Sequence, residues 1–595
     1  MTPAPSPRSG RWVRSSWIAV LALLCIGGAG TVAASALPSA GAPPEPTAPT
    51  TTTADGRGTE LGSTAFPVPP DALFVDVRSG YDGAPGTRER PLRTVRTAIE
   101  RAGTGGTVVL REGVYHESVV VPPSKTLAIQ AHPGETVWFD GSVTVRGWDR
   151  TGDRWVAGGW TAEFGSEIDG VADNPDYVDP GFPLAARPDQ LFLDGAALTQ
   201  VAAPADVVPG TFAVDRAADA LVIGDDPSGR EVRASDLERA LFVRSPGSTL
   251  QGFGVRRYAT PVAVGGAVKF ENRRSTARDL VVVDNAAIGL SINNDGGLVE
   301  RVTVQRSGML GIGSNAGYGL VIRGSLVTGN NAEHFRAAPV SGGIKITRAR
   351  GVTVADNDVS RNYGSGIWLD ESVYDATVVH NVATDNEYTG IQVELCAEVV
   401  VADNVLTGQR AGLNVFGSSG VRVWNNAFGG NSRYGVRIQQ DERRQAVDGF
   451  AGRDPQRPVP DPTMTWVVDD VTVADNVFGP ARGFHVWALD TGTGIPADDM
   501  GITVDGNVFA APDGSRDAVL VGWGRDDGRT VDRYATPQEL AAATEPGWRN
   551  ALAPAGTAPD RVVADAARSV ARPLPDDVAR AVGRPAGTRT VGPFP

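Results

Sequence analysis

Cysteine is nearly absent from this chain: two residues in 595 cannot build a disulfide framework. Histidine is scarce too, and five residues leave little material for a histidine-rich metal site. Positive charge is the minority sign. Lys and Arg number 55 against 69 Asp and Glu, giving a net charge of −14 and a pI near 5.0, which argues against nucleic acid as a partner. The glycines of the turns never form a phosphate loop that opens a helix, so nothing points to nucleotides. Gly 73 and Pro 42 are also too few and too aperiodic for a collagen-like or low-complexity chain. What remains is a folded protein, 41% hydrophobic and 21% charged, and too long for one core of ordinary size. Several domains or a repeat array are expected.

The N-terminal segment reads as an address. Arg8, Arg11 and Arg14 precede an apolar run from Trp17 to Ile26, and Ala34-Ser35-Ala36 offers a peptidase site. That order is a secretory signal peptide over residues 1–36, with a single membrane anchor as the other reading. Cys25 has no lipobox before it, and removal of the segment would leave Cys396 as a lone, packed thiol. Residues 37–70 are Pro, Ala, Thr and Gly without apolar pattern, which predicts a solvated linker. The expected location is therefore extracellular, tethered at the surface if the segment stays on.

Self-similarity is the strongest signal. A Gly or Ala followed by alternating apolar residues recurs at Ala267, Gly289, Gly311, Gly343, Gly366, Gly390, Gly412 and Gly435, in steps of 22, 22, 32, 23, 24, 22 and 23. Asn357, Asn381, Asn404 and Asn426 keep the same period, as do Asn362, Asn386 and Asn431 with Gln409 in the vacant place. Each unit holds short period-2 segments between Asn/Gly/Asp turns. The expected fold is all-β, a parallel β-helix whose rungs stack about 4.8 Å apart, with the asparagines forming amide ladders. Thr94–Ala102 is an amphipathic segment suited to cap the first rungs of residues 71–141. Residues 142–241 lack the asparagine columns and read as an inserted β-rich module. The main coil spans 242–510. Within the C-terminal cap and tail, 511–595, Thr536–Ala543 and Asp576–Val582 read as short helices packing on the far end.

Counting each rung from its Gly/Ala as position 0, positions 1 and 3 are apolar and point inward, so positions 2 and 4 face out. Position 2 carries Lys345, Trp368, Gln392, Asn414 and Arg437; position 4 carries Asp370, Glu394 and Phe416. Two carboxylates at one position of consecutive rungs should lie about 5 Å apart, within the range for retaining glycoside hydrolysis. Like-charge proximity raises one pKa and so divides acid from nucleophile. Lys345 and Arg437 bracket the pair, Gln392 and Asn414 suit sugar hydroxyls, and Trp368 and Phe416 offer flat faces to sugar rings. The repeat swells beside this patch around Asn331–Val340, which contains His334 and Arg336, and again over Asp441–Trp466, as binding walls would. Counting onward from Gly483 places His485 at position 2 and Trp487 at position 4.

Phe74–Gly80 with Pro85–Thr87 and Pro91 resembles the opening strand and helix cap of the secreted right-handed, pectate-lyase-like β-helix superfamily of polysaccharide lyases and hydrolases. More narrowly, Gly366-Ile-Trp-Leu-Asp370 followed by Val393-Glu394 is similar to family 120 of the glycoside hydrolases, retaining β-xylosidases whose β-helix is interrupted by a β-sandwich. The resemblance implies a right-handed coil with an inserted sandwich-like module, Asp370 as nucleophile and Glu394 as acid/base. It implies no cofactor and a polysaccharide or oligosaccharide partner. Two other functions fit the residues. In a polysaccharide lyase or epimerase acting on uronates, Lys345 or Arg437 would take the proton and Asp370 with Glu394 would hold Ca²⁺. A non-catalytic carbohydrate-binding scaffold would use the aromatic face alone.

Overall fold

The computed structural model describes residues 52–445, 450–511, 519–558 and 564–593. The signal segment and residues 37–51 of the expected linker lie outside the described residues. Three parallel sheets wrap one core. The first has thirteen strands, from Val119–Val121 to Val531–Tyr534, and the second thirteen, from Leu73–Val75 to Ile502–Asp505. The third comes in two six-stranded parts, Gly113–Tyr115 to Leu326–Thr328 and Val382–Thr384 to Ala551–Ala553, joined by single bridges through Asp358. The inward positions fill the coil. Ile344, Ile367, Ile391, Leu413 and Val436 stack in one buried column, each worth roughly 1.5–3 kcal/mol of burial.

Both ends of the stack are closed. The helix Val95–Arg101, capped by Thr94, lays Val95, Ala98 and Ile99 on the first rung. At the far end the strand Val531–Tyr534 turns back antiparallel, and Leu540 of the helix Pro537–Ala543 enters the core. The helix Asp576–Ala581 departs from expectation. It packs on Val379, Ala402, Trp424 and Ala474 at the side of the coil, not on its end. Residues 52–70 differ likewise from a solvated linker. Gly58 N–H donates to Gly324 O, Thr59 N–H to Thr303 Oγ1, and Pro67 O accepts from Gln130, so this stretch runs along the coil.

The inserted module begins and ends at a charge clamp. Buried Asp140 accepts from Arg256, Arg257 and Ser142, fixing the point where the chain leaves the coil. Two small sheets follow, one of four strands and one of five, with Leu191, Leu193, Phe212, Leu221, Ile223 and Val232 between them, a sandwich. An arm of this module reaches back to the coil, where Tyr177, Val178, Ala185 and Ala186 pack on Met309, Leu310 and Phe335.

The asparagine ladder is longer than the repeat suggested. Each Nδ2 of Asn357, Asn381, Asn404, Asn426, Asn476 and Asn507 donates to the Oδ1 of the next rung's asparagine at 3.0 Å, ending on Asn550. The same Oδ1 accepts the backbone N–H of the rung before, as in Asn404 N–H to Asn426 Oδ1 at 3.0 Å. A second ladder links Asn330, Asn362 and Asn386. The residue before each ladder asparagine from Asn357 to Asn507 is left-handed, with φ of 57° at His380, 54° at Asp403 and 55° at Asn425, a region in which Asn, Asp and His are enriched among non-glycine residues. Asn404→Leu leaves buried donors and acceptors of two rungs unpaired and should lower unfolding free energy by about 1–3 kcal/mol, read as a lower urea midpoint. An unchanged midpoint would remove the ladder from the stabilising interactions.

Candidate active site

The first sheet carries the site on its outer face, over the strands Gly342–Thr347, Ser365–Asp370, Thr389–Glu394, Ala411–Phe416, Tyr434–Gln440 and Phe484–Asp490. In the five strands from Gly342–Thr347 to Tyr434–Gln440 the glycine before the first inward residue is required by closeness of neighbouring chains. A Cβ on Gly366 would meet Gly390 O at 2.6 Å and Asn386 Nδ2 at 2.7 Å, and one on Gly390 would meet Gln409 Nε2 at 2.5 Å. Register places Lys345, Trp368, Gln392, Asn414 and Arg437 in one column. Thr347 stands beside Asp370, and Glu394 beside Phe416 and then Gln439. Pairing of these two strands runs to Leu369 with Val393, and Asp370 and Glu394 follow as the next residue of each, where neighbouring strands lie about 4.8 Å apart.

Both carboxylates are nearly buried, Asp370 at 6% and Glu394 at 7% exposure. Asp370 accepts on both oxygens: Lys345 Nζ donates to Oδ2 at 2.7 Å and the Glu371 N–H to Oδ1 at 2.8 Å. The second bond comes from the next residue's own amide, at the entry to a turn in which Glu371 and Ser372 are left-handed, φ 50° and 71°. Glu394 accepts from Gln392 Nε2 at 2.6 Å and Arg443 Nη2 at 2.8 Å. Burial first, then the charge of Asp370, push the Glu394 carboxyl above the usual range, against the pull of Arg443 and Lys345. The pair thus holds one carboxyl biased toward its protonated form beside one gripped as an acceptor.

Two walls flank this face. On one side the segment 329–341 carries His334, whose ring lies between Phe182 of the module arm, centroids 4.4 Å apart, and Tyr363 at 4.6 Å. Arg336 binds the same arm through Tyr177 O and Pro175 O. On the other side the segment after Gln440 brings Arg443 over the pair and is anchored by Trp466, which packs with Met464 on Leu395 and Ala397. Leu395, directly after Glu394, and Trp466 are both left-handed, φ 52° and 59°, an unfavourable backbone for such side chains that their mutual packing holds in place.

Several sequence expectations need correction. Lys345 is not free for substrate, since its ammonium is spent on Asp370, Pro339 O and the Trp368 ring, 3.6 Å from its centroid. That lysine covers the Trp368 ring, which is 5% exposed and offers no open stacking face. Phe416 is covered in the same way by Arg443, 4.6 Å from the ring centroid. His485 does not stand at position 2. It occupies the glycine column beside Gly435 and packs on Phe478 and Phe509, and its burial drops the imidazole pKa to about 4. Trp487 accordingly pairs with Arg437 at position 2, not at position 4. Arg443 was missed because the 441–466 insertion has no period, although two stacked acids call for a nearby cation.

Four polar atoms on this face are buried without a partner: Trp368 Nε1, Asn414 Oδ1, Arg437 Nε and Gln439 Oε1. Among the described residues no group of three or more His, Cys, Asp or Glu side chains is placed to hold a metal ion.

Residues 266–444 match the family described as right handed beta helix region, and with the three sheets this makes the chain a right-handed parallel β-helix. A protein of Bacillus subtilis (strain 168), the uncharacterized YwoF, is 46% identical over 56 residues, 9% of this chain and only 12% of that relative's length. Among solved structures, XylC in complex with xylose superposes over 76% of this chain and 86% of its own, with a TM-score of 0.56 and 16% identity, a likeness of fold. The periplasmic alginate epimerase AlgG covers 70% and 82% at 11% identity, with a TM-score of 0.39.

The opposing influences on Glu394 can be separated by titration. In protein carrying carboxyl-labelled glutamate, Asp370→Asn should lower the Glu394 pKa and Arg443→Met should raise it, each by about one pH unit or more. Movement of both in one direction would mean that a structural rearrangement, not charge, sets this group.

Proposed function

We propose that the protein is a secreted carbohydrate-active enzyme, a glycoside hydrolase that retains anomeric configuration, using Asp370 as nucleophile and Glu394 as acid and base. The observation that carries this reading is the carboxylate pair one strand apart, divided by environment into a proton-biased Glu394 and an acceptor Asp370. Asp370 keeps free lone pairs on both oxygens despite its two bonds. It attacks the anomeric carbon while Glu394 protonates the departing glycosidic oxygen, and a glycosyl ester forms on Asp370. Water, deprotonated by Glu394, then attacks the same carbon and frees both the sugar and the carboxylate. Lys345 and the Glu371 amide hold the nucleophile in aim, and Arg443 with Gln392 hold the acid.

Elimination on a uronate fits less well. The lysine it would use as base is fully engaged as a donor, and an arginine does not give up its proton. Secretion is part of the proposal and rests on the reading of residues 1–36. Among the described residues no helix is long and apolar enough to cross a membrane.

A panel of plant and bacterial glycans, assayed for new reducing ends and for the ultraviolet absorbance of unsaturated uronates, tests the reaction class. Reducing ends without that absorbance are expected. Both signals together would overturn hydrolysis in favour of elimination, and silence would favour a binding scaffold. Activity should survive exhaustive chelation, since the carboxylate pair needs no metal; loss with EDTA and return with Ca²⁺ would reassign both carboxylates as ligands. Asp370→Ala should abolish turnover for every leaving group. Glu394→Ala should keep its first step on aryl glycosides with acidic phenols, and azide should accelerate its second step to a glycosyl azide of retained configuration. An inverted product from the wild type would exclude the retaining pathway.

A further inference from the structure

The groove does not end at the carboxylate pair. Two rungs further along, about 10 Å by strand spacing, Arg437 stands at position 2 of the strand Tyr434–Gln440. Its guanidinium has neither an ion pair nor a hydrogen bond among the described residues, and its Nε is buried with no acceptor. It lies instead against two rings, 5.6 Å from the Tyr434 centroid and 5.4 Å from that of Trp487.

Arg437 is not alone. Arg410 and Arg433 occupy the same place on consecutive rungs, each just before a groove strand: Tyr434 N–H donates to Arg410 O and Phe484 N–H to Arg433 O. Neither has an ion pair among the described residues, and both depress the Arg437 pKa by like charge, after burial. Three unpaired guanidiniums within one another's field are unexpected in a chain of net charge −14. Several arginines of the second sheet and its turns are instead tied to acids one rung away, as in Arg301 to Asp279 at 2.8 Å and Arg306 to Asp284 at 2.6 Å. The carboxylates next in the groove make their ion pairs with Lys345 and Arg443 and none with these three, although Glu394 raises the Arg437 pKa as the last of the influences on it.

Holding like charges together costs free energy unless something anionic arrives. The site is walled by aromatic rings and continues the column of Gln392 and Asn414. We infer that this end of the groove is a subsite for an acidic sugar, its carboxylate bound by the Arg437 fork with Arg410 and Arg433 around it. A planar carboxylate matches a guanidinium in two parallel hydrogen bonds, and the Tyr434 and Trp487 rings would fix the fork beneath it. A sulfate ester carries the same charge and is the other source of an anion. The inference deepens the reading of this groove as a hydrolase site, since it names the class of substrate.

Binding separates the two. Asp370→Asn protein is applied to an array on which each oligosaccharide backbone is displayed in neutral, uronate-bearing and sulfated forms. Acidic forms should bind roughly 10- to 100-fold more tightly than their neutral counterparts, as one charged hydrogen-bonded pair allows, and the advantage should shrink with added NaCl. Adding Arg437→Met should bring acidic and neutral forms level. Arg437→Lys, which keeps charge but not the fork, should retain part of the preference, and the exposed Arg410→Gln should weaken it. Preference for uronate over sulfate assigns the carboxylate, and the reverse assigns the ester. Equal binding of acidic and neutral forms, or no binding of any acidic form, overturns the inference even if the wild type hydrolyses neutral glycans. Acid-selective binding that depends on Arg437, without hydrolysis by the wild type, would sustain the subsite and overturn the hydrolase reading instead.

Discussion

A rung spacing of about 4.8 Å places every outward side chain in contact with its counterpart on the next turn, and the charge pattern of the molecule follows from that contact. The second sheet and its turns show the ordinary solution. Asp279 meets Arg301, Asp284 meets Arg306 and Glu300 meets Arg323, acid against base one turn away. Asp370 above Glu394 breaks the pattern. Two like charges so close must be compensated from outside their own column, and they are: Lys345 enters from the preceding rung and Arg443 from the long insertion. The departure from the stacking rule, rather than the presence of acids on a sheet, marks this face as special.

The insertions are what make compensation possible. A bare coil presents a flat face, and a buried carboxylate needs walls. The module arm and the 329–341 segment close one edge through the Phe182, His334 and Tyr363 contacts. The opposite wall depends on the Leu395 and Trp466 contact, where two left-handed backbones are stabilised by apolar packing. Arg443 therefore reaches Glu394 only because a strained turn, one residue past that glutamate, anchors the loop that carries it. The same strand thus supplies the carboxylate and the foundation of its counter-charge.

This division explains what could be read from residues alone. The period, the inward and outward columns from Lys345 to Arg437 and the asparagine ladder were legible because each rests on an interaction repeated every rung. The ladder's continuation through Asn476, Asn507 and Asn550 was hidden by insertions that stretch the step. The Phe484–Asp490 strand was misplaced by two residues because Gly483 resembled the repeat glycine. The better guide was the inward pair Val486 and Ala488, which continues Val436 and Ile438 and leaves His485 in the glycine column. Contacts made once, such as Arg443 with Glu394 or Lys345 over Trp368, leave no periodic trace. They decided which candidates were open to a ligand and which were already occupied.

Stacking also bears on how one pair of acids could serve both halves of the proposed reaction. Glu394 is biased toward its proton by burial and by the negative charge of Asp370. Once Asp370 is esterified to sugar, that charge is gone while Arg443 remains at 2.8 Å from Glu394. Burial still raises the carboxyl, but the second influence that raised it disappears while Arg443 and Lys345 persist, so Glu394 becomes a better carboxylate at the step where a base is needed. When the ester is hydrolysed the Asp370 charge returns and the bias is restored. In the proposed reaction Asp370 would therefore set the protonation of its partner by its own bonding state, with no movement of the backbone. A wider separation of the two strands would weaken the exchange, since Coulomb coupling falls with distance. The register that stacks these residues is in that sense part of the chemistry and not merely its support.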